Sequence, residues 1–152
     1  MYYLEGERVA EVLKGLISEK YQRHHHETDL TVREVYRVTG GGAVDFGGSE
    51  EEVAPRERVE PKKESADDKY GWWALPSGSY VLRFNEVPAL RSDQIAFVQP
   101  HERLIRGGAM HASYYFREER EYIETTILVG SGGIHIKENA RVSKLLVLQL
   151  GT

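Results

Sequence analysis

The sequence predicts a mainly β domain carrying an N-terminal helix and one further short helix. Three observations lead there. From Trp72 onward, short β-prone runs alternate with turn residues, which argues for a sandwich or barrel. Only one segment, near the N-terminus, repeats apolar residues at helical spacing. With 152 residues and no cysteine, the chain is expected to form one core, without disulfides, thiolate metal sites or a cysteine nucleophile.

Taken in order, Val9, Val12, Leu13, Leu16, Ile17 and Tyr21 fall on one face of a helix spanning 6–21. Leu30–Val38 alternates apolar and polar residues until the glycines at 40–42, and reads as a strand. GGGAVDFGG at 40–48 lacks the lysine and following helix of a phosphate-cradling loop and reads as a hairpin turn around Ala43–Phe46. Residues 47–70 are rich in charge, glycine and proline, so an exposed excursion is expected. WWALPSGSYVLRF, ALRSDQIAFVQP, MHASYYF, YIETTILVG, GGIHIK and SKLLVLQL supply the strands, with Trp72 and Trp73 divided between surface and core. HERLIRGG at 101–108 follows a proline and closes on glycines, the pattern of a short C-capped helix.

Composition narrows the function. No apolar run approaches the roughly 18 residues that span a bilayer, and the N-terminus lacks a signal-peptide pattern, so a soluble, cytoplasmic protein with no membrane partner is expected. The 20 basic and 24 acidic residues are interspersed, net −4, which disfavours a nucleic-acid polymer as partner. Abundant charge and a scarcity of asparagine suggest a thermophilic source.

Between Leu75 and Leu150 lie LPSGSYVLRFNEV, PHERLIRGG, EREYIE and ARVSKLL, and upstream stands Asp29-Leu30. In this order they resemble the motifs of the dUTPase and dCTP deaminase superfamily, without a gap from Pro100 to Val129. The resemblance implies a dUTPase-like distorted jelly-roll or β-barrel over 1–152, assembled as a homotrimer with active sites between subunits. It also implies hydrolysis of a deoxyribonucleoside triphosphate, in particular dUTP to dUMP and pyrophosphate, with Mg²⁺.

Residue by residue, the resemblance puts Glu119 at the catalytic carboxylate and Asp29 at an acidic residue supporting the metal. Arg103, Arg106 and Lys144 fall at phosphate contacts, and Tyr122 falls where an aromatic stacks on the deoxyribose. A carboxylate base would orient water toward the α-phosphate while cations neutralise the developing charge. Glutamate in place of the family's aspartate shifts that base by about an ångström, and such a shift can cost roughly 10²-fold. Glu102 stands where the family has a phosphate-binding serine, and Val129 where deamination needs a proton-shuttling glutamate, so dCTP deamination is not expected. These replacements keep a second reading open, a non-catalytic trimeric module of the same fold with a repurposed pocket. His24, His25 and His26 offer either metal ligands or a pH-responsive loop, and neighbours on an extended chain point apart.

Overall fold

The computed structural model describes residues 1–151. The strands are β1 (Tyr2–Tyr3), β2 (Leu13–Lys14), β3 (Thr28–Val38), β4 (Arg56–Val59), β5 (Trp72–Leu75), β6 (Gly78–Phe84), β7 (Val87–Pro88), β8 (Gln94–Pro100), β9 (Ala109–Met110), β10 (Tyr114–Phe116), β11 (Glu124–Val129), β12 (Ile134–Lys137) and β13 (Arg141–Gln149). The helices are α1 (Gly6–Glu11), α2 (Glu19–Gln22) and α3 (Glu102–Gly107). A nine-stranded antiparallel sheet runs β10-β8-β13-β3-β6-β11-β9, with β1 added to β13 and β4 to β3; β12-β5 and β2-β7 form separate pairs. The mainly β expectation is borne out.

β3 joins the two parts of the sheet. Its first residues pair with β13, Asp29 opposite Lys144, and its later ones pair with β6, Val35 opposite Leu82. Register shifts at Val32/Glu34 and Arg141/Ser143 bend both strands there. Alternation then sends Leu30, Val32, Leu82, Phe84, Val98, Ile127, Leu145 and Val147 into one buried cluster. Burying a side chain of this kind contributes about 1.5–3 kcal/mol.

The long N-terminal helix is not formed. The chain leaves α1 at Glu11, Leu13–Lys14 pairs with Val87–Pro88 as a strand, and Gly15 beyond it takes φ +84, a left-handed turn. Beyond it a four-residue α2 follows, and Ile17 and Tyr21, expected on the buried face, are 53% and 62% exposed. Gln22 secures the break: its Oε1 accepts from Ile17 N and Ser18 N at 2.7 and 2.9 Å.

The charged excursion also departs from expectation in its middle. Arg56–Val59 adds to the edge of β3, and Lys62 and Trp72 exchange backbone hydrogen bonds at 2.9 and 2.8 Å. Trp73, 2% exposed, donates from its indole to Val59 O at 2.8 Å, so a core tryptophan anchors the segment. Trp72 is half-buried, as the division predicted. The α3 segment closes on Gly108 with φ 108, the left-handed C-cap read from the sequence.

Candidate functional site

Asp29 lies at the centre of a polar cluster where β3, β8, α3 and β13 meet. Its carboxylate is fully enclosed, at 0% exposure. Oδ2 faces His24 Nε2 at 2.8 Å and accepts from Arg141 Nη1 at 3.1 Å. Oδ1 has no hydrogen bond and faces His101 Nε2 at 3.6 Å. Burial on this scale is tolerable for a carboxylate only with opposite charge at hand, which Arg141 provides.

His101 caps α3: its Nδ1 accepts from Arg103 N at 3.1 Å, which assigns the ring proton to Nε2, on the side of Asp29. Burial pulls the imidazole below its ordinary value, and Asp29 opposes this in part. Lys144, opposite Asp29 across the β3–β13 pair, reaches Glu27 at 3.4 Å. Beneath the cluster, Gln22 Nε2 donates to Asp29 O at 2.8 Å and to Glu86 at 3.1 Å. Glu86 also accepts from Thr31 N and Oγ1, and burial pushes its carboxyl up.

On the opposite side of α3, a cavity of about 480 Å³ is lined by Arg103, Leu104, Lys137, Arg141 and Trp72 among others. Arg103 and Arg141 thus connect the cluster to an open, cationic space. Arg106 is exposed and pairs with Glu102 at 3.7 Å along the helix.

The remaining expected residues stand elsewhere. Glu119 is exposed on the loop between β10 and β11, and among the described residues no ion pair or hydrogen bond joins it to Asp29, Arg103 or Lys144. Tyr122 follows on the same loop, with the Arg83 guanidinium 3.8 Å from its ring centre. Arg83 and Arg56 both grip Glu124, at 2.7 and 2.9 Å, and both lie against Tyr36. Burial pushes Glu124 up, but the hydrogen bonds from the two arginines outweigh it and hold its carboxyl below the usual range.

Within one chain, then, Asp29, Arg103 and Lys144 gather around the α3–β13 junction, while Glu119 and Tyr122 belong to a separate loop. Asp29 does not fit a resident metal site: it is enclosed, its Oδ2 is committed to His24 and Arg141, and no group of three or more His, Asp or Glu able to hold an ion occurs among the described residues. Of the histidine run, His24 turns inward to Asp29, while His25 and His26 meet edge to face with ring centres 4.0 Å apart. The sequence offers His24 only as a metal ligand or part of a pH-responsive loop, and assigns no role to Arg141. Only the pairing of residues 28–31 with 141–145 reveals them.

The fold has clear counterparts. The crystal structure of 2′-deoxycytidine 5′-triphosphate deaminase from Agrobacterium tumefaciens superposes with a TM-score of 0.70 at 16% identity, covering 99% of this chain and 47% of the deaminase chain. The chain therefore spans about half the length of that protein while sharing its fold. No protein-family model matches the sequence. A probable deoxyuridine 5′-triphosphate nucleotidohydrolase of Methanosarcina mazei is 31% identical over 143 residues, 93% of this chain and 80% of the relative. A probable enzyme of the same name from Archaeoglobus fulgidus is 31% identical over an alignment of 164 positions, covering 100% of this chain and 90% of the relative. By this similarity over nearly its whole length, the chain belongs to the deoxyuridine triphosphate nucleotidohydrolase, or dUTPase, family. No described helix is long and apolar enough to cross a membrane.

Proposed function

We propose that the protein hydrolyses dUTP to dUMP and pyrophosphate, acting in the cytoplasm as one domain per chain. The similarity to the probable dUTPases over 93% of the chain carries this reading. In it, Glu119 takes a proton from water as the oxygen attacks the α-phosphorus. The bond from that phosphorus to the α–β bridging oxygen breaks, and pyrophosphate leaves. Arg103, Arg106 and Lys144 hold the triphosphate, with Arg141 beside them, and stabilise charge that grows during transfer. Tyr122 offers the ring face not covered by Arg83 to the sugar. Mg²⁺ belongs to the incoming triphosphate here, since this ion is commonly held by phosphates and water with few protein ligands. Asp29 instead positions His101 and Arg141.

Glu119 and the cationic junction are brought together in this reading by a homotrimer, one chain lending its loop to the next. A half-buried apolar face, with Tyr3 and Tyr115 exposed on it, supports self-association. Tyr3, Ile95, Phe97, Tyr115, Leu146 and Leu148 occupy paired, outward positions on β1, β13, β8 and β10, with Tyr3 and Tyr115 flanking Phe97 at 6.5 and 5.9 Å. Such a patch is costly to leave in water.

Pyrophosphate release from dUTP with Mg²⁺ tests the reaction. Glu119→Gln is expected to abolish release and keep the melting temperature; unchanged turnover refutes its role. Mixing inactive Glu119→Gln chains with inactive Lys144→Glu chains is expected to restore activity if the site is shared, because some interfaces then hold both native residues. A second reading, a binding module without turnover, draws on Glu102, whose carboxylate sits beside Arg106 where phosphate would bind. It predicts a folded oligomer that releases no product from any deoxyribonucleoside triphosphate.

A further inference from the structure

Trp72 separates two cavities. Beyond the one that reaches Arg103 lies another, of about 660 Å³, lined by Arg37, Arg58, Lys62, Trp72 and His135. We propose that this second cavity is a separate nucleotide-binding site, with Trp72 stacking a base and Arg37 and Lys62 holding a phosphate.

Charge is the first support. The chain carries net −4, yet here basic side chains prevail. Of the acids on the lining, Glu60 is neutralised by Arg58 at 3.1 Å, which leaves Glu64 against Arg37 and Lys62. Neither Arg37 nor Lys62 forms an ion pair among the described residues, and Glu57 stands opposite Arg37 across the β3–β4 pair. Cations lining a partly apolar cavity attract phosphate.

The second support is that the cavity is built by specific bonds. Its outer wall is the excursion, held by the β3–β4 pair, by the backbone exchange of Lys62 with Trp72, and by the Trp73 indole on Val59. Trp73 fills the core, which leaves its neighbour Trp72 on the opposite face of β5 with its ring at the cavity. Lys137 stands 5.4 Å from that ring on the other cavity's side. An aromatic face between cations suits a planar anion, and the volume lies within the roughly 300–1,000 Å³ of small-ligand sites.

A single nucleotide fits these observations better than a polymer. Glu57 stands beside the wall, opposite Arg37 in the β3–β4 pair, and with Glu60 and Glu64 on the lining it opposes an extended polyanion. The dUTP hydrolysis proposed above uses none of Arg37, Lys62 or Trp72.

The test is intrinsic fluorescence and calorimetric titration of the full chain with AMP, a nucleotide that carries no triphosphate to hydrolyse. Expected are quenching of emission, loss of the quench in Trp72→Phe, and at least tenfold weaker binding in Arg37→Ala/Lys62→Ala. Arg103→Ala/Arg106→Ala should bind AMP as the native chain does. Circular dichroism confirms that each variant is folded. Absence of quenching at millimolar AMP overturns the proposal. So does binding that survives Arg37→Ala/Lys62→Ala but is lost with the Arg103 pair, or tighter binding of a thymidine oligonucleotide than of AMP. Because no outcome depends on turnover, the site stands or falls separately from the hydrolase reading.

Discussion

His111 shows how a single buried imidazole sets a pH dependence. Its Nδ1 lies 2.9 Å from Ala112 O, a carbonyl that can only accept, so the ring proton is there. Nε2 is then an acceptor and takes the Ser143 hydroxyl at 2.8 Å. Burial lowers the affinity of this ring for a second proton. In the unfolded chain histidine protonates near pH 6.5, whereas the folded ring resists until a lower pH. Across that window the unfolded state binds more protons, so stability falls as pH falls below about 6.5. Urea midpoints measured from pH 7.5 to 5 should decline, and His111→Gln should flatten the decline. Glu86 works the other way. Its raised carboxyl favours the folded state fully below about 4.5, and that contribution is lost as pH rises through the folded value. At neutral pH its three hydrogen bonds offset the remaining cost. Asp29→Asn, which removes the counter-charge of Arg141, is expected to destabilise by roughly 2–3 kcal/mol, less than a wholly buried pair because Arg141 is 32% exposed. Chemical denaturation checks it. The strand position of Asp29 was legible in the sequence. Its enclosure was not, because Arg141 lies more than a hundred residues away and reaches it only through strand pairing.

At the scale of elements, two of the left-handed glycines, Gly15 and Gly108, make a useful contrast. A Cβ at Gly15 would lie 2.7 Å from Asn85 O, while one at Gly108 would meet nothing closer than Gly133 O at 3.5 Å. Gly108→Ala should therefore cost only the conformational term, about 1–2 kcal/mol. Gly15→Ala should cost more, since backbone must shift as well, and thermal melting of the two variants side by side decides it. Gly15, with the pairing of Leu13–Lys14 to β7 just before it, accounts for the missed helix. Apolar spacing from Val9 to Leu16 is real and those side chains are at least partly buried, but spacing alone is blind to a left-handed residue inside the window. The strands after Trp72 were legible because each carries its own alternation and its own turn residues. β4 was not, since Arg56–Val59 has only one apolar residue and pairs through backbone on the edge of β3. The motif resemblance found Asp29, Arg103 and Lys144 close together. It gave no sign that one face of Tyr122 is already covered by Arg83.

For the whole molecule, the question is how the half-buried apolar face of β8 and β13 is covered. Phe97→Glu or Leu146→Glu would place a charge at the middle of that face without touching the inward-facing Ala96, Val98, Leu145 or Val147. Light scattering is expected to report a trimer for the native chain and smaller species for either variant, with dUTP hydrolysis reduced in step. A variant that stays trimeric would move the interface elsewhere. The bulk architecture was legible because period-two alternation and turn chemistry agree along the last eighty residues. Composition and periodicity carry no sign of an assembly, since no local pattern encodes what lies across an interface; the homotrimer is implied by the motif resemblance alone.

The placement of β13 bears on how this protein comes into being. It is the last of the described strands, yet it lies between β8 and β3, so it bridges strands that have no other direct pairing with each other. A nascent polypeptide halted before Arg141 holds the β3–β6–β11 pairings but lacks the strand that would secure β8 and shelter Asp29. Such a chain should remain open to proteases on the ribosome and become resistant only when Arg141–Gln149 has cleared the exit tunnel. The slow step of folding is then expected to be the capture of β13 by β3 and β8, a high-contact-order closure. Premature termination there would strike the middle of the sheet rather than fray its edge.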